Sequence, residues 1–358
     1  MIKIGRVRRP QLHTGRHGCT GYRNEDARAP ALYAPGTENP TEYPGGVRRY
    51  PGMSDQLHAA TARTLPADLT MGAVTLDVAN LDVMTAYYRD AVGLAVLADD
   101  ADTVTLGRPA NVANTGAGTV VTAAKPAVVL RHSPAMRHAG PREAGLFHTA
   151  ILFETRAALA SAVYRTATAH PERFTGSADH LVSEAFYFDD PEGNGVELYW
   201  DRPRDTWQWS GDRVSMASLP LDPNAFLREH LTEDELDHPT SGAVGHVHLS
   251  VGDVDTARSF YSGTLGFDIT AELGNQAVFM SAGGYHHHMA MNVWRSRGAG
   301  RRQPTLGLGL VDIVLPSADA VGALTERMRD HRINVANDGQ TVSVGDPWGN
   351  RLRVTATP

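Results

Sequence analysis

From residue 71 onward the hydrophobic and polar positions follow one recurring pattern. "GAVTLDVANLDVMTAYYRDAVGLAVL" (72–97) and "GHVHLSVGDVDTARSFYSGTLGFDIT" (245–270) each open with apolar residues at alternate positions, the period of a half-buried strand. A short turn follows, then a helix carrying an aromatic pair, then a Gly-apolar step into another strand. "LFHTAILFETRAALASAVY" (146–164) and "LGLVDIVLPSADAVGALTERM" (308–328) open in the same way. The pattern predicts four βαβββ modules starting near 71, 145, 244 and 306. The expected class is α+β, with the modules paired into two half-open barrels that enclose a cup between two units. Modules 1 and 2 predict a first domain at 67–203, and modules 3 and 4 a second at 244–358. Between them, 204–243 reads as a linker with one helix around 223–236, where "DPNAF" supplies an N-cap and an early Pro.

Residues 1–66 break the pattern. They are rich in Arg, Pro, Gly and Tyr without a sustained apolar period, and such a stretch buries too little surface to offset its ordering entropy. A disordered tail is expected, or a start at Met53 or Met71, with a functional basic arm as the lesser reading. The single cysteine, Cys19, falls here; no internal disulfide is available, and a reducing cytoplasm is the default location. The 358 residues suffice for about two or three domains. A net charge of −7 gives no support to a nucleic-acid or membrane-surface partner, and no apolar run has transmembrane length. Sixteen histidines direct attention to metal ligands.

Chemistry enters through a repeated frame. "FYFDDPEGNGVELYW" (186–200) and "SVGDPWGNRLRV" (343–354) share Asp-Pro, a variable residue and Gly-Asn before a strand-like run. Aligning Asp190 with Asp346 sets Glu197 on Arg353, a carboxylate against a cation. A carboxylate inside a barrel is costly unless a metal or cation compensates it. An outward-facing strand position is the bland alternative for Glu197. A hydrogen-bonded core residue is the bland alternative for His148.

The segments "VSEAFYFDDPEGNGVELYWDRPRDTW", "GHVHLSV" and "SAGGYHHHMAMNVW", in this order, resemble the vicinal oxygen chelate superfamily of glyoxalases, bleomycin-resistance proteins and extradiol dioxygenases. The bacterial two-domain catechol 2,3-dioxygenase group is the nearer resemblance, over about residues 70–357. The superfamily places metal ligands early in the first strand and late in the last strand of a module. Those positions fall here on Ala73, His148, His246 and Leu308 or a close neighbour, and on Glu197 and Arg353. The resemblance therefore implies His148, Glu197 and His246 as metal ligands, a two-His, one-carboxylate set that suits Fe(II) and equally admits Mn(II). His248, on the same strand face, competes with His246. Modules 1 and 4 are blind.

Familiar extradiol enzymes draw one His from their third module and the other ligands from their fourth, whereas here the His-and-Glu module comes first. Pairing modules 2 and 3 would complete the set within one chain; a site shared across a homo-oligomer would do the same. The resemblance further implies an acid–base His in the pattern His-x-x-Ala-apolar, which assigns His287, with His286 and His288 as neighbours on the opposite strand face. His180 and Tyr187 match positions that hydrogen-bond the substrate, and Arg202, Trp207 and Trp209 are candidates to close the pocket mouth. The implied partners are a small aromatic diol and O2, and the implied activity is extradiol ring cleavage. A glyoxalase-like isomerase would require a second Glu, and a non-enzymatic binding protein would have no reason to keep the three ligands.

Overall fold

The computed structural model describes residues 64–115 and 118–357. Residues 1–63, with Cys19 and most of the expected tail, lie outside them. Residues 64–66, the end of the expected tail, are part of the packed structure: Leu65 is buried, and its N–H donates to the Gly266 carbonyl at 2.8 Å.

Each module opens with a strand: Thr70–Val78, Gly145–Leu152, Ala243–Ser250 and Gly307–Leu315. Each opening strand stops at a polar residue whose side chain caps the next helix. Asn80, Thr155, Asp253 and Ser317 accept from the N–H groups of Val83, Ala158, Thr256 and Ala320, and such caps contribute about 1 kcal/mol each. The helices are Leu81–Ala86, Arg156–Ala169, Val254–Arg258 and Ala318–Asp330. In modules 1 and 3 they run on as a wider π-helical turn, Tyr87–Val92 and Ser259–Thr264, which carries the aromatic pairs. The chain returns to lay its closing strand parallel to the opening one: Lys125–His132, Gly195–Asp201, Met289–Asn292 and Arg351–Ala356. The linker forms two short helices rather than one. Asp222 caps Pro223–His230, and Thr232 begins a second cap and a second helix, Glu233–Asp237.

Two large sheets arise, and they pair the modules crosswise. The opening strands of modules 1 and 4 lie antiparallel at the centre of an eight-stranded sheet. Those of modules 2 and 3 do the same in a nine-stranded sheet. The expected domains 67–203 and 244–358 thus each give one module to each sheet. Helices and turns tie the modules in the other sense. Asp190 accepts the N–H groups of Glu192 and Asn194, the Asn194 side-chain amide and the Tyr88 hydroxyl of module 1, all at 2.9–3.0 Å. Asp346 repeats this with Trp348, Asn350 and Tyr261 of module 3. Arg165 of module 2 donates to the Ala91 and Val92 carbonyls, and Arg327 of module 4 to those of Thr264 and Leu265. One apolar cluster draws on all four modules.

Candidate metal centre

The nine-stranded sheet brings His148, Glu197 and His246 together. The closing strand of module 2 lies parallel to the opening strand with Glu197 beside Ala150. The opening strand of module 3 runs antiparallel to that strand, with His248 opposite His148 and His246 opposite Ala150. Strand alternation turns the three side chains to one face. Gly195 makes the approach feasible, since a Cβ there would stand 2.1 Å from the Phe147 carbonyl oxygen and 3.0 Å from the His148 Cβ. Gly245 serves the far side: a Cβ would strike the Tyr199 hydroxyl, whose ring packs 4.8 Å from His246.

All three are buried. Glu197 Oε2 lies 3.0 Å from His148 Nε2 and 3.3 Å from His246 Nε2, and one donor atom from each residue falls within 4.8 Å of the others. Donors about 2.1 Å from one ion at right angles stand about 3 Å apart. His148 Nε2, although close to that oxygen, lacks hydrogen-bond geometry to any partner among the described residues, and a buried imidazole nitrogen left unpaired beside a carboxylate is what a shared cation would satisfy. Burial works against a charged Glu197, but the imidazoles beside it outweigh burial and hold the carboxyl well below its usual range. Burial lowers His246 to about 4 despite the opposing pull of Glu197, which keeps its lone pair free for coordination. The donor set therefore fits a divalent ion.

The same register defines a fourth slot. Ala150 and His248 are exchanged by the approximate twofold between modules 2 and 3, and Ala290 stands beside His248 as Glu197 stands beside Ala150. An alanine offers no donor. In the other sheet, Arg353 stands beside Asp312 and binds it at 2.6 and 2.7 Å. Counting back two residues puts Leu310 at the position of His148, the close neighbour of Leu308. Ala73 is buried and brings no donor.

The centre opens on a cavity of about 1070 Å³ lined by His148, Glu197, Tyr187, His180, His248 and His287, with Phe147, Phe279 and Trp294 as an aromatic wall. His248 shares a face with His246, but its Nε2 is already engaged. The Trp294 backbone N–H donates to Asn292 Oδ1, so the Asn292 side-chain amide donates to His248 Nε2, 2.9 Å away. His180 Nδ1 lies 2.6 Å from the Ala217 carbonyl, which can only accept, so its Nε2 accepts from the Tyr187 hydroxyl at 2.6 Å. Tyr187 is the cross-strand neighbour of Glu197; burial, reinforced by that carboxylate, raises its phenol well above the usual value.

A family model described as the glyoxalase/bleomycin resistance protein/dioxygenase superfamily matches residues 70–198 and 243–354. The chain belongs to this superfamily. It is 37% identical over 206 residues to Catechol-2,3-dioxygenase of Bacillus subtilis (strain 168), covering 57% of this chain and 72% of that protein. A crystal structure from Bacillus subtilis subsp. subtilis str. 168, described as a candidate dioxygenase, aligns over 81% of this chain and 86% of that one, at 13% identity and a TM-score of 0.52. That second match is a likeness of fold.

Two expectations, one drawn from the superfamily and one from the residues themselves, differ in placement. The three histidines do not lie in the last strand of module 3; they precede Met289–Asn292. All three are buried, and of them His287 lines the cavity. His286 is held by Asp201 at 2.8 Å, and His288 Nδ1 accepts the Ala282 N–H. Arg202, Trp207 and Trp209 are not among the cavity-lining residues. Arg202 pairs with Asp179 and Glu184, Trp207 packs against Tyr285 and His286, and Trp209 is exposed on a small hairpin. Asn292 and the aromatic wall escaped sequence reading, because their roles depend on partners far away in the chain.

Proposed function

We propose that this chain is an extradiol ring-cleaving dioxygenase acting on catechol or a substituted catechol, with Fe(II) held by His148, Glu197 and His246. Mn(II) suits the same donors. The observation that supports this most directly is a two-His, one-carboxylate triad whose fourth slot is Ala290, opening on a cavity with an aromatic wall. A glyoxalase-type isomerase would need a carboxylate in that slot. The curated relative named for catechol 2,3-dioxygenation points the same way.

The bound ion would supply Lewis acidity and an electron path between the diol and O2. The protein's own residues do the rest. Phe147, Phe279 and Trp294 give a planar ring an apolar seat and exclude water. His287 exchanges a proton with a ring hydroxyl at the centre. The Tyr187 hydroxyl, whose proton goes to His180 Nε2, is left to accept through its oxygen from a hydroxyl of the bound diol. The test is anaerobic reconstitution with Fe(II), followed by catechol and air. A yellow ring-opened semialdehyde is expected; a metal-loaded protein that leaves catechol intact would refute the proposal.

A further inference from the structure

Behind His287 lies a directed chain of hydrogen bonds that the reaction as described does not use. Asp201 closes the last strand of module 2 and receives two donors. Its Oδ2 is 2.7 Å from the Tyr285 hydroxyl, and its Oδ1 is 2.8 Å from His286 Nε2. Tyr285 is in turn 2.8 Å from the Tyr199 hydroxyl. His286 Nδ1 is 2.8 Å from His287 Nδ1. His286 is fully buried and His287 nearly so.

A carboxylate only accepts, so direction propagates outward from Asp201. His286 donates from Nε2, which leaves its Nδ1 as a lone pair. That lone pair can be satisfied only by a proton on His287 Nδ1. The nitrogen of His287 left for the cavity is then Nε2, without its proton. We infer that Asp201 and His286 are positioning residues that fix the tautomer of His287, so that it meets the substrate as a proton acceptor. The arrangement parallels the buried Asp that orients His in a Ser-His-Asp triad, extended here by one imidazole. The step it serves breaks an O–H bond of the bound ring diol and forms an N–H bond at His287 Nε2. The positive charge on His287 then faces Asp201 through His286.

The inference rests on the ring-cleavage proposal only for the identity of the proton donor. Its first test therefore avoids turnover. Long-range proton–nitrogen NMR on histidine-labelled protein loaded with diamagnetic Zn(II), with His287 assigned by His287→Asn, reads which ring nitrogen carries the proton. The wild type should show N–H at Nδ1 and a lone pair at Nε2; the opposite tautomer would overturn the inference without any further variant. Asp201→Ala should lose that preference, and with Fe(II) its kcat should fall roughly 10²-fold or more at full metal content, with KM within about threefold. Asp201→Asn keeps an acceptor toward His286, so it should retain the tautomer and recover part of kcat. A wild-type tautomer and kcat in Asp201→Ala would overturn the inference. The expected tautomers in a protein that leaves catechol intact would uphold the positioning and refute the ring-cleavage proposal.

Discussion

Arg353 stands at the position of Glu197 in a sheet that holds no donor triad among the described residues, and its removal separates structural from metal-binding roles. Its guanidinium makes two charge-assisted bonds to Asp312, with side-chain exposures of 44% and 11%. Hydrogen bonds to charged groups contribute about 1.5–3 kcal/mol, and the exposed half of Arg353 is screened by solvent. Arg353→Ala, which strands a mostly buried carboxylate, should therefore destabilise the fold by about 1–2 kcal/mol. For a chain of this size that corresponds to a fall of roughly 1–3 °C in melting temperature. The double variant Arg353→Met with Asp312→Leu should recover most of it, because an apolar pair replaces an ion pair at little cost. Calorimetry on metal-loaded protein and elemental analysis of the same samples decide the matter. Metal content should stay at the wild-type level in both variants. Loss of metal in Arg353→Ala would show that module 4 takes part in the centre; an unchanged melting temperature would show that the pair contributes nothing.

Three further outcomes are expected. His148→Ala, Glu197→Ala and His246→Ala should each lose stoichiometric metal while His248→Ala keeps it, read by elemental analysis; retention in His246→Ala would pass the ligand role to His248. His287→Phe should keep its metal and its affinity for catechol but lose roughly 10²–10⁴-fold in kcat, with Tyr187→Phe milder, and metal loss in His287→Phe would make that residue structural. Burial raises the Asp190 carboxyl from 3.8 to about 6, so between about pH 4 and 6 the native state binds this proton more tightly than the unfolded chain does. Acidification through that window should stabilise the wild type relative to Asp190→Asn by up to about 3 kcal/mol, measured by denaturant titration at each pH; a difference independent of pH would mean that Asp190 keeps an ordinary carboxyl.

Local signals were the legible ones. Alternation, repeated module by module, located all four opening strands to within one residue of their observed starts, because it depends on near neighbours. The Glu197 and Arg353 contrast was visible because Asp-Pro-x-Gly-Asn builds the same turn twice and so sets the register of the strand that follows. The histidine run was harder. It precedes its strand instead of occupying it, so strand alternation said nothing about which ring faces the cup. Asp201 lies 85 positions from His286, and Asn292 lies 44 from His248; contacts of that separation leave no periodic trace. The linker's second helix was hidden because Thr232, which caps it, falls inside a polar run that reads as continuous.

The crosswise pairing of modules has a consequence for how the molecule is made. A ribosome delivers modules 1 and 2 first, and their helices can dock through Tyr88, Asp190 and Arg165 as soon as both emerge. Neither sheet can then close. Strand Gly145–Leu152 must wait for Ala243–Ser250, and strand Thr70–Val78 for Gly307–Leu315. Until the second half arrives, the nascent chain presents two unpaired strand edges, the kind of surface that recruits wrong partners. Pairings so distant in sequence close slowly. A truncated or stalled chain would thus be exposed to aggregation rather than stored as a stable half, and metal uptake at the proposed centre, which draws on His246 from the late segment, would report only on chains that have finished.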